Sequence, residues 1–131
     1  MLAAGLAGAG LAAIALFATR RLDRLALARA SLLALAIILS IYIGAWLVVA
    51  PDGRALIDIA GAAFALLLCA VLLNREPRLP AAFITAHALY DLFFALQAGL
   101  PEWYPCLCLG FDVTLGLGLI WLLRPPRQIG A

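Results

Sequence analysis

Apolar residues run along this chain in five long blocks, approximately Leu2 to Ala18, Ala28 to Val49, Ala55 to Leu73, Pro80 to Leu100 and Tyr104 to Leu123. Each is close to the length of a bilayer-spanning helix, which uses about 20 apolar residues. The interruptions are short: Thr19 to Arg24, Pro51 to Arg54, Asn74 to Arg78, and Pro101 to Trp103. Each has a physical cause, because proline and glycine end helices and charged side chains enter hydrocarbon only at a cost. Connections this short predict that consecutive helices are antiparallel neighbours.

Composition narrows the class further. Of 131 residues, 67% are hydrophobic and 12% charged, whereas a soluble domain carries about 25% charge and about half apolar residues. That excludes a soluble globular fold, and five spans leave no room for a second domain. The expected architecture is all-α: a polytopic five-helix transmembrane bundle forming a single domain over residues 1–131. The bilayer itself is then the first partner.

Charge placement sets an orientation. With the N-terminus outside, the inner side receives Arg20, Arg21, Arg24, Arg29, Arg75, Arg78, Arg124 and Arg127, and the outer side only Arg54. Such a bias is the positive-inside signature, and five spans then put the C-terminus in the cytoplasm, with the tail Arg124 to Arg127 as the final stop. Trp103 with Tyr104 falls at the outer interface and Trp121 near the inner one, where amphipathic rings settle. The first block could alternatively be a cleaved signal peptide. No basic segment precedes it, and the arginines follow it, so a retained first helix is the better reading. Arginine supplies every basic position, and with the Leu/Ala bias this points to a bacterial chain and to the bacterial inner membrane. The net charge of +2 records orientation rather than a nucleic-acid surface, and no nucleic-acid partner is expected.

Close helix approach in lipid relies on small residues. Ala4, Gly8 and Ala12 share one face of the first block, and Gly110, Gly116 and Gly118 lie in the fifth. They serve either contacts within the chain, the favoured reading, or a seam between copies. Ser40 and Thr85 read as local hydrogen-bonders. Cys69, Cys106 and Cys108 form no CxxC pair and no zinc-finger spacing, so neither a disulfide framework nor quinone-coupled redox chemistry is expected.

Function is sought among the residues a bilayer penalises. An ionisable group near the bilayer centre costs about 2.5–3.5 kcal/mol on insertion scales, and four such residues lie within spans: Asp58, His87, Asp91 and Asp112. His87 and Asp91 share one helix face at i,i+4, as do Cys108 and Asp112. At about 1.5 Å per residue, Asp91 and Asp112 each lie about 12 Å from the outer end of their helices, with His87 about one turn further in. The three are therefore candidate catalytic residues of one cluster. Asp58, closer to the outer surface, lines an entrance or caps the third helix; with Tyr90 and Cys108 it is a candidate ligand-binding residue. In a chemical site His87 would accept or donate a proton, one aspartate would orient it, and the other would act as acid or base. The substrate would be a lipophilic small molecule. No cofactor is expected, and no metal, because one histidine in a mixed His/Asp/Cys spacing is a poor ligand pattern.

Two other readings stay open. Asp91 and Asp112 would serve a structural or accessory subunit as polar fasteners between the fourth and fifth helices, pairing with His87, Tyr90 or Thr114. A minimal transporter would need a homo-oligomer, since five short helices enclose little pathway. Whether the protein is an enzyme is left open, as is a membrane-protein partner.

The segment His87 to Asp91, followed by Cys108 to Asp112, resembles small bacterial multi-pass membrane proteins of unknown function. These carry a His-x-x-x-Asp motif on one span and a Cys-x-x-x-Asp motif on the next. The likeness covers roughly the last 45 residues. Members have Trp before the first Asp and further histidines one turn on, where this chain has Tyr90 and then Phe93 and Phe94. The resemblance implies where a site lies and implies no activity.

Overall fold

The computed structural model describes residues 1–49 and 53–124, and all regular structure among them is helical. The helices are α1 (Leu2–Thr19), α2 (Arg24–Val49), α3 (Arg54–Leu72), α4 (Leu79–Phe94) and α5 (Tyr104–Leu122). Four of them, α1, α2, α3 and α5, are long and apolar enough to cross a membrane, while α4 is shorter. Asp52, Arg127, the rest of the C-terminal tail and the side chain of Arg54 lie outside the described residues, and with them part of the charge pattern that sets the expected orientation.

Helix ends follow local chemistry more closely than the apolar blocks do. α2 starts at Arg24, a turn before its apolar run, because the Asp23 carboxylate accepts the backbone N–H groups of Leu25 and Ala26, both at 2.9 Å. A side-chain oxygen serving two of the unpaired donors of a first turn is the usual N-cap. α4 departs from the expected 80–100 span: its regular part stops at Phe94. Beyond it the chain stays coiled through the bonds Ala98 N–H to Phe94 O and Leu100 N–H to Ala95 O. Gly99, at φ +72°, then closes the coil, with its N–H on Leu96 O. These two closing bonds are a Schellman cap, which needs a left-handed residue at that position.

The packing order also departs from the expectation of sequential neighbours. α1 packs chiefly against α5, so the first helix pairs with the last, and α5 in turn lies against α4. α2 joins α4 on its other side and carries α3. The reason is steric. Gly8 abuts the backbone of Leu107, and Gly110 the backbone of Gly5, so closely that a Cβ at either glycine would collide with main-chain atoms. The small-residue face of α1 is therefore an intramolecular contact, as favoured from sequence. Gly116 makes the matching close approach on the other flank of α5, against Ala81 and Thr85 of α4. Between α1 and α2, by contrast, Leu11 faces Ile37, Ile38 and Ile41 across a cleft.

The core is aliphatic at one end, around Leu35, Ile84, Leu119 and Leu123. At the other it is aromatic and small, around Tyr42, Trp46, Ala95 and Ala98. Large apolar side chains such as Leu2, Ile14, Phe64, Val71 and Phe93 point outward. Trp103 and Trp121 are exposed at opposite ends of α5. Ser40 and Thr85 donate to carbonyls within their own helices, Ile37 O at 2.7 Å and Ala81 O at 3.0 Å, as expected of isolated hydroxyls in apolar runs.

Candidate functional site

Where α2, α4 and α5 meet, three ionisable side chains are taken out of contact with the surroundings. Asp91 is 0% exposed, Asp112 2% and His87 8%. His87 and Asp91 stand on one face of α4, and the close approach at Gly116 brings Asp112 of α5 within reach. His87 Nδ1 lies 3.0 Å from Asp112 Oδ2 and 3.5 Å from Asp91 Oδ2. The imidazole thus sits between two carboxylates, with the better hydrogen bond to Asp112. Among the described residues, its polar contacts all run through Nδ1.

Asp91 is held from the far side by α2, where the Tyr42 hydroxyl donates to Oδ1 at 2.6 Å. Its other oxygen, Oδ2, is buried without a hydrogen-bond partner. A buried polar atom in that state forfeits about 1–3 kcal/mol unless something else satisfies it. A second chain of hydrogen bonds runs alongside. Tyr90 donates to Asp58 Oδ2 of α3 at 2.6 Å, and Trp46 Nε1 of α2 approaches the Tyr90 hydroxyl at 3.3 Å. The two chains touch through rings: Tyr42 packs edge-on against Tyr90 at 4.8 Å between centroids, and Tyr90 stacks on His87 at 5.4 Å. Asp58, left open between an entrance and a helix cap, lies within α3 and bonds across to α4, so it is no cap.

Two clefts converge on the imidazole. One, of about 230 Å³, lies between α2, α3 and α4 and is lined by Leu39, Asp58, Ala62, Phe83, His87 and Tyr90 among others. The other, of about 280 Å³, lies between α1, α2 and α5, with His87, Tyr104, Cys108, Phe111 and Asp112 on its wall. Both are mostly apolar, with a few polar groups gathered at one place, which is the general form of a small-molecule site. Another hollow, about 630 Å³ along the α1–α5 seam near Met1 and Cys106, reaches none of these ionisable groups.

The structure thus brings His87, Asp91 and Asp112 into contact, puts Tyr90 and Asp58 in one cleft, and puts Cys108 in the other. Cys69 is buried in the aliphatic core, and all three cysteines are free thiols. Two members of the network escaped the sequence reading, Tyr42 and Trp46. Their signal was present: an i,i+4 pair of rings with polar handles inside an apolar run, where a buried O–H or N–H needs a partner. Comparison of the chain with protein-family models, with curated proteins and with solved structures gives no match.

Proposed function

We propose that this protein is a five-span bacterial inner-membrane protein, N-terminus outside and C-terminus in the cytoplasm, that binds a lipophilic small molecule at the His87/Asp91/Asp112 cluster. Proton transfer on that molecule is the chemistry these residues are equipped for. One observation carries the reading: two apolar clefts from different sides of the bundle end on the same buried imidazole, beside a carboxylate oxygen that lacks a partner. A fastening role alone calls for neither. The fifth span is α4 with its coiled extension to Ala98, about 20 residues and so about 30 Å, enough for the hydrocarbon core.

The test of binding is extraction of the purified protein into organic solvent, with mass spectrometry of what co-purifies. A species retained by the wild type and lost from both His87→Gln and the cleft-filling Ala62→Phe is the expected result. If the wild type retains nothing that these variants lose, binding at this site is wrong.

A structural role is the second reading, favoured by the way the hydrogen bonds tie α2 to α4, α4 to α3 and α4 to α5. Under it, the polar substitutions lower thermal stability and the extracts are identical. Orientation is checked separately, by labelling single cysteines on a cysteine-free background with a membrane-impermeant maleimide. Glu102→Cys is expected to label in intact cells and Leu22→Cys only after permeabilisation; the opposite pattern reverses the topology.

A further inference from the structure

The cluster lacks the usual sequence pattern of a metal site, with one histidine in the whole chain. Its geometry has that form nonetheless. One donor atom each from His87, Asp91 and Asp112 falls within 4.8 Å of the others. Two of the three separations are 3.0 and 3.5 Å, from Nδ1 to Asp112 Oδ2 and to Asp91 Oδ2. In a tetrahedral site with ligands at about 2.0–2.2 Å, neighbouring ligand atoms stand about 3.4 Å apart.

The inventory of hydrogens points the same way. Nδ1 carries at most one proton, and the shorter contact gives it to Asp112. Asp91 spends Oδ1 on the Tyr42 hydroxyl, while Oδ2 faces the same point as the other two donors, buried and unpartnered. A cation in place of the Nδ1 proton would meet one ligand atom from each of the three residues, the unpartnered Asp91 Oδ2 included.

We propose that His87 Nδ1, Asp91 Oδ2 and Asp112 Oδ2 bind one divalent transition-metal ion of the zinc or manganese class. This rests on reading the cluster as the functional site, but not on a lipophilic ligand. Charge balance supports it: two carboxylates cancel a divalent ion, and a neutral imidazole adds none, so the filled site carries no net charge into a low-dielectric interior. A ring nitrogen among the ligands favours transition metals over magnesium or calcium, which take oxygen. Tyr42 is the positioning residue, holding Asp91 by its outer oxygen so that the inner one is presented. The cleft of Cys108 and Phe111, whose wall includes His87 and Asp112, would admit a water or a substrate oxygen to complete the shell.

The experiment uses the full chain in detergent, stripped with a chelator and titrated with Zn²⁺ and Mn²⁺ by equilibrium dialysis with elemental analysis. Co²⁺ is added in parallel for its visible absorption. The wild type and Ser40→Ala, whose hydroxyl only bonds its own helix, are expected to take up one ion per chain. His87→Gln and Asp91→Asn are expected to lose it. Tyr42→Phe, which keeps the ring packing and folding, should weaken binding by about 10–100-fold. Failure of the wild type to bind a stoichiometric ion overturns the proposal, as does binding that Asp91→Asn and Tyr42→Phe leave unchanged. Retention of a lipophile without metal would sink this inference alone, and metal without a lipophile would sink the ligand reading alone.

Discussion

Gly8→Ala and Gly110→Ala are each expected to destabilise the bundle by about 1–3 kcal/mol, the range for forcing extra volume into a packed interior. Gly5→Ala and Gly10→Ala, on the same helix as Gly8, are expected to be nearly neutral. The difference lies in what the new methyl meets. At Gly8 it runs into the carbonyl of Leu107 and at Gly110 into the backbone of Gly5; main-chain atoms of a helix cannot rotate aside, so the helices must part. At Gly5 it meets the Cys106 carbonyl oxygen at 3.4 Å, an ordinary contact, and at Gly10 nothing lies within 4 Å. Denaturant-induced unfolding in mixed micelles reads the effect. Four equal midpoints would mean that α1 and α5 do not touch along this seam. Gly116→Ala works on the other flank, against Thr85 and Ala81. Because it separates α4 from α5 one turn from Asp112, it is expected to weaken metal uptake as well as stability.

Asp112→Ala is expected to cost about 3–5 kcal/mol in the same assay, the loss seen when one partner of a buried pair is removed, and Asp112→Asn markedly less. Alanine leaves His87 with Asp91 alone at 3.5 Å, beyond a good hydrogen bond, and opens a void in a site that is 2% exposed. Asparagine keeps the shape and one acceptor for Nδ1. The measurement is made with chelator present, so that the side-chain pair is read without an ion. Equal effects of the two substitutions would show that the carboxylate's charge, and not the shape or a neutral acceptor, is what Asp112 supplies to His87.

The candidate cluster was legible because the bilayer penalises few residues so plainly. His87, Asp91 and Asp112 stand out in apolar runs, and counting residues from the helix ends puts both aspartates at one depth. Tyr42 and Trp46 did not stand out, since aromatic rings in an apolar run read equally well as lipid-facing. Only the partners across the bundle, Asp91 and Tyr90, distinguish them. Spacing along the chain offers no metal-ligand pattern, and it says little about a grouping whose third donor arrives on another helix.

By itself the sequence determined the helical class and four segments long and apolar enough to cross a membrane. Those depend on local hydrophobicity, prolines, glycines and caps, each legible within a few residues. Tertiary structure alone decided that α1 seats on α5, that two clefts end on His87, and that one Asp91 oxygen is left without a partner. These depend on which surfaces fit. A glycine notch is only a small residue until the facing backbone is known, and a buried carboxylate is only a penalty until the atoms around it can be counted.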